Sequence, residues 1–517
     1  MGHRSALSTA LSRALRALRE RAAAAPVAAL FWVALSVTAA RACALYAGVC
    51  AGRVRYPYDL EWMEGGMVDH VLRLFEGEPL YVKPSLDFAP FLYNPLFYVF
   101  GAVSSAVVGV GPFALRLVSV LASLGVGLLL GRIVARHTAS AGAGFVAAGL
   151  YYATYELSGG WMDIARVDSL FLLLTLAAVD RATSSARFAV AEAAALLAAA
   201  FFAKQYALLV GVPIALYLLV RRGPRAALVF SALSGALTGA LILTLNLATD
   251  GWYWFWTFRV PAAHGVFGSP LLPVVRTTLF EPAPAACLVA VSGGVLLLAR
   301  SVRAVRRREP RAAAEALLVL GLACVLLCQA WYSYDHPGRY LNCLMPAHLA
   351  LSLLAGVAVG APRELRQPVW FAVAAAVSYQ LVALGYSPKT WIPNAADRAA
   401  CERVEHDLRA AGGDLVLGFR GFYGAPGLNA PHAHQMALLD LFASGLDDHE
   451  RRLRAEARRR FARGPFSRVL LDNTDYVFNP ELARSFRKTF EESVDARPGQ
   501  TRTGPPMRPR IGYERRR

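Results

Sequence analysis

Charge is scarce in this chain. Only 17% of its 517 residues are Asp, Glu, Lys or Arg, against about 25% in an ordinary soluble domain. With 56% hydrophobic residues and a mean hydropathy of +0.40, the composition excludes a soluble globular protein and implies a polytopic membrane protein. Acids are the scarcer sign, 36 against 54 bases, for a net charge of +18. In a soluble protein that excess would suggest a nucleic-acid partner. Here the arginines fall in short clusters between apolar runs, the pattern of cytoplasmic loops, and no nucleic acid is expected. Cysteine is also sparse: the seven residues lie mostly inside apolar stretches and lack metal-ligand spacing. Cys324 and Cys328, one helical turn apart, read as packing, and neither metal nor cofactor is expected, although clustered carboxylates suit a hard divalent cation in principle. Internal repeats are absent too, which weighs against a transporter built on paired broken helices.

What is present is a series of apolar runs punctuated by arginine. Residues 1–25 carry Arg4, Arg13, Arg16, Arg19 and Arg21 against Glu20, and lead into a run from Pro26 to Cys50. A cleaved signal peptide competes, but the run exceeds a signal h-region, so it reads as an anchor with a cytoplasmic N-terminus. Basic clusters at Arg132/Arg136, Arg181/Arg187, Arg221–Arg225, Arg300–Arg311 and Arg363–Arg366 alternate with apolar runs. Counting them by the positive-inside rule gives about eleven transmembrane helices over 26–386, with the C-terminus outside. The stretch Leu92–Val110, broken by Asn94 and Pro95, is read as a juxtamembrane helix within the first external loop, 52–112.

This parity gathers polar residues on the outer face. The first loop brings Asp59, Glu61, Glu64, Asp69, His70, Lys83 and Asp87; the next brings Asp163, Arg166 and Asp168; later breaks bring Lys204, Gln205, Asp250, Arg259, His264, Asp335, His336 and Arg339. Acids this close to a bilayer are costly unless they face water and do chemistry, though a solvated acidic loop is the plainer reading. Lys204 interrupts some thirty apolar residues and needs an anionic partner. Either a structural pair with Asp163 or Asp168, or a ligand phosphate, would serve. The aromatic run Trp252–Phe258 reads as an interfacial belt or as a platform for lipid or sugar.

An ordered series of short motifs carries a resemblance. Glu64-Gly65 is followed by Leu74, Gly77 and Pro79-Leu80-Tyr81, then by Phe91–Tyr98, Ala114–Ser119, Ala165–Leu170 and Lys204-Gln205. In this order, over residues 27 to about 390, they resemble the bacterial GT-C membrane glycosyltransferases, family 39-like, that include aminoarabinose and mannosyl transferases. The resemblance implies an all-α polytopic fold and an extracytoplasmic active site. It also implies transfer of a sugar from a polyprenyl-phosphate donor to a lipid, glycan or protein acceptor. It places a base in the first loop and a second acid in the next, here Asp163 or Asp168. Relatives often carry an acidic pair before the glycine. Met63 stands at the first of those positions, leaving Glu64, with Asp59 and Glu61 ranked ahead of it. Direct inverting transfer needs one carboxylate to take the acceptor's proton, and cations to stabilise the departing phosphate. Lys204, Arg166, Arg339 and Arg116 are the candidates for that phosphate.

Beyond Ser387 the composition turns polar. A helix pattern near Asp397–Ala411, strand-like runs at Asp414–Phe419 and Ser467–Asn473, and helix between His434 and Phe461 suggest a small α/β domain over 387–496. With no nucleophile or phosphate loop, it reads as acceptor recognition or scaffold, located outside. The Pro/Arg-rich segment 497–517 reads as a disordered tail.

Overall fold

The computed structural model describes residues 2–411, 415–417, 421–425, 432–464, 467–473, 475–493 and 498–516. The chain is a bundle of helices capped at one end by a small mixed domain. Nine helices open it: α1 (Gly2–Arg53), α2 (Glu64–Phe75), α3 (Leu96–Val108), α4 (Pro112–Thr138), α5 (Ala141–Ala153), α6 (Asp168–Thr183), α7 (Ala189–Ala203), α8 (Gly211–Arg222) and α9 (Pro224–Ala248). Helices Pro284–Arg306, Pro310–Tyr334, Met345–Val359 and Gln367–Ala383 complete the bundle.

Eleven spans were expected. Among the described residues, seven helices are long and apolar enough to cross a membrane, or eight if the bent pair Gln367–Ala383 and Pro388–Ala410 counts as one span. The difference lies in the short runs. α5, α6 and α7 have 13, 16 and 15 residues, and at about 1.5 Å per residue each falls short of a hydrocarbon core of about 30 Å. Their place is inside the bundle, where α6 packs on α4 and α7. α3, with Val99, Phe100, Val103 and Val107 exposed along one side, is the short helix expected of the stretch after Asn94-Pro95.

The core is organised by small residues. All fifteen residues of Met345–Val359 are buried, as a helix apolar on every side requires. Gly293 lies against the Leu354 carbonyl and Gly144 against that of Gly131, approaches that any Cβ would block. Exposed Leu, Val and Phe side chains cover the outside of the bundle, as lipid contact demands.

At the far end of the bundle, arginines pair with acids across helices. Arg132 and Arg136 reach Asp180, Arg300 and Arg303 reach Glu364, and Arg221 reaches Glu315. The near end carries the loops 54–95 and 154–167 and the C-terminal domain.

That domain holds a four-stranded sheet in the order β1-β2-β4-β3, from β1 (Leu415–Leu417), β2 (Arg468–Leu471), β3 (Phe486–Glu491) and β4 (Ile511–Arg515). β1 and β2 run parallel, in register at Leu415↔Val469, while β4 pairs antiparallel with both β2 and β3. The strand-like runs at 414–419 and 467–473 each hold a strand, Leu415–Leu417 in the first and Arg468–Leu471 in the second. The tail is not disordered. Residues 498–510 run over the first loop, with the amides of Arg502 and Thr503 donating to the Leu60 carbonyl at 2.9 and 2.8 Å, and β4 fills the centre of the sheet. The alternation that marks β4 covers only five residues, too few to outweigh the surrounding proline and arginine.

Candidate active site

From Tyr56 to Met63 the chain leaves α1 in tight turns and enters α2 at Glu64. Two buried ion pairs fix this path. Arg116, in the first turns of α4 and fully buried, donates Nε to Glu64 Oε1 at 2.9 Å and Nη2 to Oε2 at 2.6 Å. Its remaining N–H groups go to the carbonyls of Tyr56 and Tyr58. Glu64 in turn accepts the amides of Leu60 at 2.6 Å and Ala165 at 2.8 Å. Burial pushes the Glu64 carboxyl up, but the Arg116 guanidinium and these hydrogen bonds outweigh it and hold the group below the usual range. With every donor and lone pair engaged, Arg116 has nothing to offer a phosphate and Glu64 nothing to offer a proton. Both were candidates from sequence, and both brace the loop instead.

The second pair is Arg53 with Asp163, Nε to Oδ2 at 3.2 Å, both side chains fully buried. Tyr155 donates its hydroxyl to Asp163 and receives Arg53 Nη1. Asp163 thus ties the second loop to the end of α1. Asp168, the other second-loop acid, binds the Lys204 ammonium at 2.8 Å and the Asn342 amide at 3.2 Å. Of the two carboxylates weighed for Lys204, Asp163 and Asp168, it is Asp168 that meets the ammonium. The break in α7 that carries Lys204 is held by Gln205, which donates to the carbonyls of Leu92 and Thr257.

Glu61 and Arg166 meet between these two pairs. Arg166 Nη1 lies 3.2 Å from Glu61 Oε1 and 2.7 Å from the Met63 sulfur, Nη2 bonds the Tyr93 hydroxyl, and Nε is buried without a partner. Glu61 Oε2 accepts the Met63 amide at 3.1 Å. Burial pushes the Glu61 carboxyl up to about 8; Arg166 pulls it down and the Glu64 charge adds to the rise. Met63 is a sulfur contact for this arginine.

Asp59 is buried, with Oδ2 accepting the amide of Phe422 at 3.2 Å. Asp69 follows within α2, half-buried, its carboxyl pushed up to about 8 by burial and the charge of Asp59. His70 is structural: Nδ1 bonds the Gly66 carbonyl, Nε2 accepts the Phe91 amide at 3.0 Å, and the ring stacks between Phe91 and Tyr98.

The C-terminal domain closes this layer. Ala433 donates its amide to the Leu86 carbonyl at 2.6 Å, His434 Nε2 bonds the Trp62 carbonyl at 3.0 Å, and Arg460 pairs with Asp87. Gly65 lies so near the backbone of Gly421 and Phe422 that a Cβ would collide with it. The helix Gln435–Ala443 adds Asp440, a half-buried carboxylate that sequence reasoning missed. Burial raises its carboxyl to about 7, with Arg166 pulling it down. No local motif marks Asp440; only the docking of the domain brings it to Arg166.

A cluster of cations flanks the layer. Lys83, Arg259 and Arg452 surround His449, whose pKa is lowered by burial first and then by those charges. None of the three makes an ion pair among the described residues. Trp256 in a widened π-turn (Phe255–Arg259) donates to the Val82 carbonyl at 2.8 Å, which seats Arg259 beside Lys83. Tyr81 links the cluster inward through its hydroxyl to the Tyr93 carbonyl. The aromatic run is therefore mixed: Tyr253 and Trp256 are buried anchors, while Trp254 is half exposed. Arg339 lies apart, exposed and stacked over Phe267 and Tyr334, with no contact to the acids of the first loop.

No protein-family model matches the chain, and no curated protein matches it either. Solved structures do. The crystal structure of ArnT from Cupriavidus metallidurans bound to undecaprenyl phosphate superposes with a TM-score of 0.56 over 93% of this chain and 97% of that one, at 13% identity. This chain has the ArnT fold. The apo state of ArnT gives a TM-score of 0.53 at 15% identity, covering 94% of this chain and 98% of ArnT. The likeness to ArnT thus runs through both the bundle and the capping domain, which makes the C-terminal domain part of the shared architecture.

Proposed function

We propose that this protein is a membrane glycosyltransferase that moves a sugar from a polyprenyl-phosphate donor to an acceptor on the extracytoplasmic side, with inversion. The observation that carries the reading is one polar layer holding both halves of the chemistry. The buried carboxylate of Glu61, paired with Arg166, lies in it, and at the same end of the bundle Lys83, Arg259 and Arg452, none of them ion-paired among the described residues, gather about His449. The fold it shares with ArnT, solved with undecaprenyl phosphate, supports a lipid-phosphate donor.

In this mechanism Glu61 takes the proton of the acceptor hydroxyl as that oxygen attacks the anomeric carbon, with Asp59 as the neighbouring carboxylate. The bond from the anomeric carbon to the phosphate oxygen breaks, and the lipid phosphate leaves as an anion beside Lys83, Arg259 and Arg452. A phosphate already leaves well, so fixed positive charge replaces a general acid. Arg166 holds Glu61 in place, and Lys204 with Asp168 keeps the second loop seated. The arginine-rich far end faces the cytoplasm by the positive-inside rule, which puts the site and C-terminal domain outside.

The test uses full-length protein in proteoliposomes with a radiolabelled polyprenyl-phosphate sugar and membrane extract. Label appearing on a new, non-lipid-phosphate product supports transfer. Label that only changes leaflet, still on its lipid phosphate, would refute it in favour of a flippase.

A further inference from the structure

The far end of the bundle carries an open cavity of about 490 Å³ that the transfer chemistry does not use. It lies where α4 ends, where the helix Pro284–Arg306 ends and where Pro310–Tyr334 begins. Arg136, His137, Arg300, Arg303 and Arg307 line it, together with the carboxylates of Glu309, Glu315 and Glu364. Most of these charges are already matched. Arg300 and Arg303 share Glu364 at 2.5 and 3.2 Å, Arg136 gives one N–H to Asp180 at 3.0 Å, and Glu315 is met by Arg221 at 3.5 Å.

What is left over is cationic. The exposed Arg307 guanidinium makes no hydrogen bond or ion pair among the described residues. A guanidinium offers five N–H groups, so Arg136 and Arg303 retain several beyond those given to Asp180, Ala299 and Glu364. Against these stands one lining carboxylate without an ion-pair partner among the described residues, Glu309. The first turn of Pro310–Tyr334 adds backbone N–H groups and the positive end of a 25-residue helix. Arginines far outnumber acids in the loops of this end, at 132–136, 181–187, 221–225, 300–311 and 363–366. The wider field therefore favours an anion despite the local acids. Beside the cavity, Val295, Leu298, Val302 and Val305 are exposed along Pro284–Arg306 and supply an apolar flank.

We infer that this cavity is a binding site for a phosphate ester, held by Arg307, Arg303 and Arg136 and bridging the ends of three helices. Phosphate is the chemistry that planar guanidinium forks at a helix N-terminus recognise best. It can arrive as the headgroup of an anionic phospholipid or as free phosphate. Because it does not depend on the transferase reading, either can fail without the other.

The experiment is thermal unfolding of the full chain in neutral detergent at low ionic strength. Four conditions are compared: no addition, phosphatidylcholine, phosphatidylglycerol, and inorganic phosphate. Arg307→Ala is the main variant, since Arg307 is exposed and its side chain makes no bond among the described residues, and Arg307→Lys keeps the charge without the fork. The expected result is a rise of several degrees with phosphatidylglycerol and none with phosphatidylcholine, lost in Arg307→Ala and partly restored in Arg307→Lys. A rise with inorganic phosphate that matches the lipid's and shares the Arg307 dependence assigns the site to free phosphate. A phosphatidylglycerol shift unchanged in Arg307→Ala, or no shift in the wild type, overturns the inference.

Discussion

Glu61 and Glu64 are three residues apart, both buried, and opposite in character. Glu64 meets two N–H groups of Arg116 and two backbone amides; Glu61 meets one N–H of Arg166 and one amide. Replacing Glu61 by Gln should therefore lower turnover by about 10²–10⁴-fold, the usual contribution of a general base, while polyprenyl-phosphate binding persists; Asp59→Asn in parallel shows whether its neighbour shares the role. Turnover should rise with pH to an inflexion near 8, where the Glu61 carboxyl ionises. Stability moves the other way. The folded form keeps the Glu61 proton up to about 8, whereas an unfolded Glu releases it near about 4.3, so between those values the native state binds more protons and stability falls as pH rises. Unfolding midpoints measured across that window should fall less steeply in Glu61→Gln. Glu64→Gln is the contrasting case. It strands a buried guanidinium and should cost about 3–5 kcal/mol in thermal or denaturant unfolding, a loss of fold before any loss of chemistry. For the donor phosphate, Lys83→Ala and Arg259→Ala should each weaken polyprenyl-phosphate binding several-fold in a direct binding assay, and Arg339→Ala should leave it unchanged.

Helix α2 is the element on which the site turns. Its first turn carries Glu64, Gly65 and Gly66, and the C-terminal domain rests on those glycines at Gly421 and Phe422 while Phe422 donates its amide to Asp59. Gly65→Ala should lift the domain from the loop without disturbing the bundle. Hydrogen exchange would then rise at 421–425 and 432–434, the melting of the membrane helices would stay in place, and activity would fall with the lost grip on Asp59. If exchange at 421–425 is unchanged while activity is kept, the domain does not position this acid. The short helices α5, α6 and α7 make the complementary point. They are too short to span alone, and they set the depth of the loop 154–167 that brings Arg166 beneath Glu61.

Over the whole molecule, charge is divided between two ends. One end concentrates arginine with a few pairing acids, and the other holds the buried pairs, the loop acids and the C-terminal domain. A cysteine introduced by Lys389→Cys, at an exposed position on the loop end, should react with a membrane-impermeant maleimide in intact cells. One introduced by Arg187→Cys, exposed at the arginine-rich end, should react only after permeabilisation. Both belong in a background lacking Cys324 and Cys328, which are exposed. The reverse pattern would place the site on the cytoplasmic face and end the case for an extracytoplasmic acceptor.

Hydropathy and arginine spacing alone determined that this is a polytopic helical membrane protein, because burying or exposing apolar length is a property each segment carries by itself. The first loop and Lys204 stood out in the same way: a charge among apolar residues is visible wherever it lies. Which acid is braced and which is poised could not be read there. Asp59, Glu61 and Glu64 are alike in composition, and only Arg116 and Arg166, some fifty and one hundred residues away, make them different. Asp440, the cluster around His449 and the strand β4 were likewise settled by tertiary contact. Desolvation and pairing depend on what surrounds a group in space, and neighbours in the chain do not fix that.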